Sequence, residues 1–88
     1  MIILGLDKSS HLAYFYRAYA KSKLKDYTGA IFDYTQAIKI RSDHSLYYFN
    51  RGIAKELIND LEGACSDWRE ASRLGYSKAE KWVKNQCN

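Results

Sequence analysis

Apolar residues recur at three- and four-residue spacing along most of this chain, which is the spacing of one face of an α-helix. The first such stripe covers residues 11–24 and follows two serines, a residue type that caps helix N-termini. A second stripe covers residues 27–40 and follows Asp26, another capping residue type. The pattern predicts two helices joined by a short turn at Lys25 and Asp26.

The second half of the chain follows the same plan. Helical spacing predicts helices over residues 45–58 and 61–74, with a turn at Asn59 and Asp60. Gly75 follows the last apolar residue, where a left-handed C-cap glycine is common. Ser77 with Glu80 three residues later matches a capping box and predicts a fifth helix from residue 78. We expect Trp82 to press into the preceding helix pair while the other face of this helix stays in water.

The chain is self-similar at a period of 34 residues, which indicates stacked helical repeats. The matching positions, in order, are Tyr14, Arg17, Ala18, Lys21, Asp26, Gly29, Ala30, Asp33, Tyr34, Ala37 and Ile40, then Tyr48, Arg51, Gly52, Lys55, Asp60, Gly63, Ala64, Asp67, Trp68, Ala71 and Leu74. This period divides the chain into repeats at residues 11–44 and 45–78 and a capping helix at residues 79–88. Residues 1–10 are either an N-terminal arm or the remnant of a preceding repeat.

These motifs resemble the tetratricopeptide repeat family. The segments that carry the resemblance are Tyr14-x-x-Arg17-Ala18 with Asp26-Tyr27-x-Gly29-Ala30-x-x-x-Tyr34-x-x-Ala37-Ile38, and Tyr48-x-x-Arg51-Gly52 with Asp60-x-x-Gly63-Ala64-x-x-x-Trp68-x-x-Ala71. The resemblance implies an all-α, right-handed superhelix of antiparallel helix pairs closed by a C-terminal capping helix. Lys25 and Asn59 replace the glycine that the family commonly has between the two helices of a repeat.

The resemblance also implies a binding site, because family members bind ligands in a concave groove lined by the first helix of each repeat. Carried over to this chain, the groove residues are Leu12, Phe15, Tyr16, Tyr19, Lys23, Leu46, Phe49, Asn50, Ile53 and Glu56. Asn50 lies where many members use asparagine to hydrogen-bond a peptide backbone. We therefore expect a non-catalytic protein–protein interaction scaffold that binds a peptide or partner helix in an apolar groove.

Three alternatives stay open for the same apolar face. It could form a homodimer, and in that case the protein is a structural oligomerisation module. It could be covered by residues 1–6, or it could belong to a stub of a longer array. RNA binding through Lys21, Lys23 and Lys25 is a further, less favoured alternative. The basic residues are not segregated, with seven in each half of the chain, and the three lysines suit the end of a helix.

No pattern in the sequence indicates an enzyme, and we expect no cofactor and no metal site. There is no glycine-rich phosphate loop and no metal-ligand spacing, and the acidic residues of the second repeat, Asp67 included, are expected on solvated faces and caps. Cys65 is expected to be a small buried apolar residue and Cys87 a free thiol. These unpaired cysteines, with no signal peptide and no membrane-spanning run, indicate a cytoplasmic protein that does not contact membranes.

Overall fold

The computed structural model describes residues 10–87, and every regular element in that range is an α-helix. The helices are α1 (His11–Lys23), α2 (Tyr27–Ile40), α3 (Ser45–Leu57), α4 (Leu61–Arg73) and α5 (Ser77–Gln86). The all-α prediction is confirmed, and each end of α1 to α4 lies within one residue of its predicted position, whereas α5 ends two residues before the predicted end of the capping helix. The proposed N-terminal arm or repeat remnant lies almost wholly outside the described residues. No helix between residues 10 and 87 has the length and apolar character needed to cross a membrane.

Side-chain caps start three of the five helices. Ser10 accepts a hydrogen bond of 3.2 Å from the Leu12 amide at the start of α1. Asp26 accepts one of 3.0 Å from the Gly29 amide at the start of α2, as its sequence position predicts. Asp60 does the same for α4, accepting from the Gly63 amide at 2.9 Å. These caps satisfy amides that have no partner inside the first turn of a helix.

The capping-box prediction for α5 is wrong. Tyr76 takes the N-cap position, its side chain makes no capping hydrogen bond, and Ser77 is already the first helical residue. The serine hydroxyl therefore lies one residue too far along the chain to cap the helix. Because of this shift, α5 begins without a side chain that satisfies its first amides.

Three of the four turns between successive helices place one residue in the left-handed backbone region. Gly75 has φ of 100°, as expected for a C-cap glycine. Lys25 and Asn59, between the helices of each pair, have φ of 65° and 69°. Side chains with a Cβ atom adopt this region at an energetic cost, and asparagine tolerates it better than lysine.

The helices pack as two hairpins with a fifth helix at the end. Within the hairpins, α1 packs on α2 and α3 packs on α4. The contact between α2 and α3 joins the two hairpins, and α5 packs on α4. The first hairpin buries Tyr34 among Ala18 and Ala30, which lets an aromatic ring fill the space between close backbones. Trp68 is the fully buried counterpart of Tyr34 in the second hairpin. The predicted role of Trp82 is confirmed, since its ring meets the Trp68 ring edge-on at 5.1 Å.

A buried carboxylate links the two helices of the first hairpin. Asp33 on α2 is 0% exposed and accepts hydrogen bonds from Arg17 Nε at 2.8 Å and Nη2 at 2.9 Å. Lys21 Nζ lies 3.0 Å from the same carboxylate. Burial acts to raise the pKa of Asp33, but the hydrogen bonds from Arg17 and Lys21 outweigh it and leave the pKa below its ordinary value. Asp33 is therefore ionised at neutral pH.

The second hairpin repeats this arrangement around Asp67. Arg51 donates to the Asp67 carboxylate from Nε at 2.8 Å and from Nη2 at 2.7 Å, and Lys55 Nζ lies 3.2 Å away. Only 3% of Asp67 is exposed, so the prediction that it lies on a solvated helix face is wrong. Two positive groups from α3 make its burial possible, because a buried charge has to be paired.

The two cysteines are also not the unpaired thiols that the sequence analysis predicts. Cys65 on α4 and Cys87, just after α5, form a disulfide across 22 residues. The packing of α5 on α4 brings together two residues whose spacing in the sequence gives no such indication. Cys65 is 5% exposed, so its predicted burial is confirmed. The disulfide removes the unpaired cysteines as a ground for expecting a cytoplasmic protein.

Candidate binding groove

The first helices of both hairpins carry matching stripes of side chains, which are exposed throughout on α1 but only at the two ends of the stripe on α3. On α1 the stripe is Leu12, Tyr16, Tyr19 and Lys23, and on α3 it is Leu46, Asn50, Ile53 and Leu57. Steps of four, three and four residues keep each set on one helix face. Exposed fractions reach 59% for Tyr16 and 53% for Leu57, which is high for apolar side chains of this size. The two stripes occupy equivalent positions, 34 residues apart.

A pocket of about 200 Å³ lies where these stripes meet. Its lining comes from α1, α2 and α3: Tyr19, Ser22, Lys23, Tyr27, Tyr34, Asn50, Ile53, Ala54 and Leu57. Most of these side chains are apolar or aromatic, with a few polar groups among them. That composition is common in sites that take an apolar group and orient it through a small number of polar contacts.

Lys23 is the one formally charged residue among the nine that line the pocket. Its Nζ lies 5.1 Å from the centroid of the Tyr19 ring, within the range of a cation–π contact. Burial raises the pKa of the Tyr34 phenol, while the neighbouring Ser22 side chain acts in the opposite direction. Tyr34 is therefore neutral at physiological pH, and the pocket carries a single positive charge at Lys23.

Four of the ten residues predicted to line the groove do line this pocket: Tyr19, Lys23, Asn50 and Ile53. Leu12, Tyr16 and Leu46 are exposed along the same two stripes, beyond the pocket itself. Phe15 is half-buried and its ring stacks on Tyr47 at 5.0 Å. Glu56 is half-buried and does not contribute to the pocket.

The tenth residue, Phe49, does not belong to the groove. It is 4% exposed, and its ring packs against Tyr76 at 5.0 Å and Trp82 at 4.8 Å. Phe49 therefore faces α5, on a side of α3 different from the exposed stripe. Phe49 is thus buried rather than exposed in the groove as its register predicts, because the fifth helix covers its ring.

Apart from Ser22, which lies on the predicted face of α1, the pocket contains four residues that sequence reasoning missed: Tyr27, Tyr34, Ala54 and Leu57. The 34-residue period does contain a signal for Leu57, which is the counterpart of the predicted groove residue Lys23. Tyr27 and Tyr34 belong to α2, and the rule that first helices line the groove omits them. They reach the pocket because α2 lies behind the gap between α1 and α3.

A polar and aromatic contact fixes α1 against α3 at one end of the stripes. His11 Nδ1 and the Tyr47 hydroxyl lie 2.6 Å apart in a hydrogen bond. The His44 ring stacks on Tyr47 with centroids 4.1 Å apart, and burial is the main cause that lowers the pKa of His44. The hydrogen bond from His11 links α1 to α3, whereas the stack with His44 lies within the start of α3 and holds the Tyr47 ring in place.

A scan of the sequence against models of known protein families matches none of them, and no curated protein sequence matches it significantly. The fold nevertheless defines a class: between residues 10 and 87 this is an all-α protein of two helical hairpins and a terminal fifth helix.

Proposed function

We propose that this protein is a non-catalytic interaction scaffold of the tetratricopeptide type, with its hairpins stacked as a right-handed superhelix. Its site is the groove formed by the α1 and α3 stripes and the pocket between them. The partner is a peptide or a partner helix with an apolar side chain that fills the pocket. The observation that carries the proposal is the pair of equivalent stripes on both sides of the pocket, exposed along α1 and at Leu46 and Leu57 on α3.

The exposed apolar side chains of α1 and α3 support a binding role. Leu12, Tyr16 and Tyr19 on α1 are 43%, 59% and 47% exposed, and Leu46 and Leu57 on α3 add to the same surface. Contiguous apolar surface rimmed by polar groups marks interaction sites on soluble proteins. Tyrosine is also among the residues that contribute most to interface energies, since its ring buries a large area with little conformational freedom to lose.

The polar groups of the site indicate how a partner would be oriented. Asn50 can both donate and accept hydrogen bonds, which suits the alternating groups of a peptide backbone. Lys23 suits an acidic side chain or carboxylate next to the apolar anchor. We therefore expect the preferred peptides to combine one large apolar residue with at least one acidic residue.

Selection of peptides from a random display library on the wild-type protein tests this proposal. The affinity of the selected peptides is then measured by fluorescence polarisation for three proteins: wild type, Tyr19→Ala and Phe32→Ala. Tyr19 and Phe32 are both exposed aromatic residues, at 47% and 60%, but Phe32 lies on α2 and does not line the pocket. Phe32→Ala is therefore a matched control for the loss of an exposed ring.

Tyr19→Ala is expected to weaken binding about tenfold or more, and Phe32→Ala less than about twofold. Equal losses in both variants, or no selection of apolar–acidic peptides, would contradict the proposed groove. Light scattering of the wild type over a range of concentrations tests the alternative of a homodimer through the same face. A dimer that Tyr19→Ala converts to monomer would favour the structural role over peptide binding.

A further inference from the structure

The disulfide fastens the end of α5 to the body of the protein. Cys65 lies in the first half of α4, and Cys87 is the C-cap residue of α5. The 22-residue separation between them contains the rest of α4, the Gly75 turn and all of α5. The bond therefore ties α5 to α4 and makes no direct connection to the first hairpin.

Without the disulfide, α5 has few means of staying in place. It has ten residues, and isolated helices of this length are marginal in water. Its N-cap makes no side-chain hydrogen bond, and it is the last helix of the described stack. Its apolar contacts with the body come from buried Ala79, from Val83 and from Trp82, which contacts Trp68 and Phe49.

The disulfide lies beside open space that a thiol reagent can enter. A pocket of about 390 Å³ is lined by Leu61, Glu62, Arg69 and Gln86 together with both cysteines. Arg69 Nη2 donates a hydrogen bond of 3.1 Å to the Cys87 carbonyl, which holds a guanidinium close to this residue. A nearby cation favours departure of a thiolate during disulfide exchange, and Glu62 in the same pocket acts in the opposite direction.

We propose that the Cys65–Cys87 disulfide is a redox-sensitive latch that holds α5 over Phe49 and Trp68. A dithiol attacks the bond as a thiolate and releases one cysteine sulfur. The second sulfur of the dithiol then displaces the other cysteine. The dithiol leaves as a disulfide, having given two electrons, and both cysteines become thiols by taking up its two protons. α5 then opens while α1 to α4 stay folded, which uncovers the ring of Phe49.

Local opening is the physical consequence of how a stacked fold is built. Each helix pair contacts its neighbours alone, so the terminal element can open without unfolding the rest. The first hairpin keeps its own aromatic core and its own ion pair at Asp33, neither of which contacts α5. The groove pocket likewise has no lining residue from α5, so the latch can be tested without any partner.

Hydrogen exchange read by mass spectrometry tests the latch on the full chain, oxidised and after treatment with dithiothreitol. Amides of α5 are expected to exchange about 300-fold faster after reduction, the factor for losing a disulfide that closes a loop of this length. Amides of α2 are expected to change by less than about twofold. Removal of the dithiothreitol and reoxidation is expected to restore slow exchange in α5.

Cys87→Ser is the matched variant, because Cys87 is half-buried whereas Cys65 is almost fully buried. The variant is expected to show fast α5 exchange from the start and no response to dithiothreitol. The latch is overturned if reduced wild type keeps slow exchange in α5, or if α2 loses protection together with α5. It is also overturned if the disulfide of the folded protein resists dithiothreitol. These wild-type measurements decide the matter even if Cys87→Ser does not fold.

Discussion

Arg51 on α3 donates a hydrogen bond of 3.1 Å to the Thr35 hydroxyl on α2, and so links the ion pair of the second hairpin to the first. Arg17 occupies the equivalent position 34 residues earlier and binds Asp33 in the same bidentate way. Its side chain is 55% exposed, compared with 16% for Arg51. The same pair of residue types therefore experiences two different surroundings in one molecule.

This difference predicts unequal effects for Arg17→Met and Arg51→Met. Arg51→Met leaves Asp67 buried with Lys55 as its remaining partner and also removes the link to Thr35, so we expect a loss of about 3 kcal/mol in unfolding free energy. Arg17→Met removes a far more exposed partner, and we expect a loss of about 1 kcal/mol. Urea unfolding followed by circular dichroism measures both values. Equal losses would show that the exposure of the arginine does not matter.

The lowered pKa of Asp33 predicts a loss of stability in acid. Because the pKa in the folded state lies below the value of about 3.9 for an unperturbed aspartate, the contribution is complete above pH 4. It is lost as pH falls from there through the lower folded-state value. Asp33→Asn cannot lose a proton, so it should be less stable than wild type at pH 7 and approach wild type below pH 4.

Thermal unfolding of both proteins between pH 2 and pH 7 measures this convergence. Asp43 offers a control, since its pKa is also lowered, by the hydrogen bond and charge of Arg41, but its side chain is exposed in a loop. Asp43→Asn should change stability little at any pH. A constant gap between wild type and Asp33→Asn over the whole range would contradict the assignment.

The turn conformations predict opposite effects for two glycine substitutions. Lys25 is exposed and has φ of 65°, so Lys25→Gly should raise the unfolding free energy by about 1 kcal/mol by removing the strain on its Cβ atom. Gly75 has φ of 100° and no atom within 4 Å of a Cβ atom placed there. Gly75→Ala should therefore lower stability by about 1 kcal/mol for conformational reasons alone. Chemical denaturation measures both, and a destabilised Lys25→Gly would contradict this account.

The contact between Gly52 and Trp68 predicts a destabilised variant and its rescue. A Cβ atom at Gly52 would lie 2.5 Å from Trp68 Nε1 and 3.1 Å from the backbone oxygen of Ala64. Gly52→Ala should thus cost about 2 kcal/mol through overpacking. The first hairpin has Ala18 with Tyr34 at the matching positions, so adding Trp68→Tyr to Gly52→Ala should recover part of the loss.

A double-mutant cycle of Gly52→Ala and Trp68→Tyr measures this coupling by urea unfolding. Trp68→Tyr alone should be destabilised, since it empties space and removes the 3.3 Å hydrogen bond from Trp68 Nε1 to the Phe49 carbonyl. Strictly additive losses in the double variant would mean that the two residues do not compete for the same space.

The helices could be predicted from the sequence because their signals are local. Asp26 and Gly75 mark helix ends through interactions within a few residues, and the apolar spacing fixes which residues lie in each helix. The burial of Trp68 follows from the repeat period together with its size. Such features do not depend on how distant elements meet.

The ion pairs and the disulfide depend on tertiary packing and were not predicted. Asp67 looks like a solvated acid in its own helix, and only the approach of α3 brings Arg51 and Lys55 to it. The signal that could have identified it is the recurrence of arginine, lysine and aspartate together in both repeats. The first repeat contains no cysteine, so the 34-residue period gives no indication that Cys65 and Cys87 pair.

The candidate groove was predicted only in part, because its burial also depends on tertiary packing. Positions such as Tyr19 and Ile53 follow from the face that each first helix exposes. Phe49 does not, because the ring that decides its burial, Trp82, lies in the terminal helix rather than in a repeat. Family resemblance assigns positions by register, whereas burial depends on what covers each position in this particular chain.

The α1 and α3 stripes match in position but differ in chemistry. Where α1 has Tyr16, α3 has the amide of Asn50, and where α1 has the cation of Lys23, α3 has the aliphatic Leu57. The two walls of the groove are therefore not interchangeable. If the proposed peptide bound in the reverse direction, its acidic group would lie next to Leu57 instead of Lys23. This asymmetry would therefore favour one direction of the bound peptide chain.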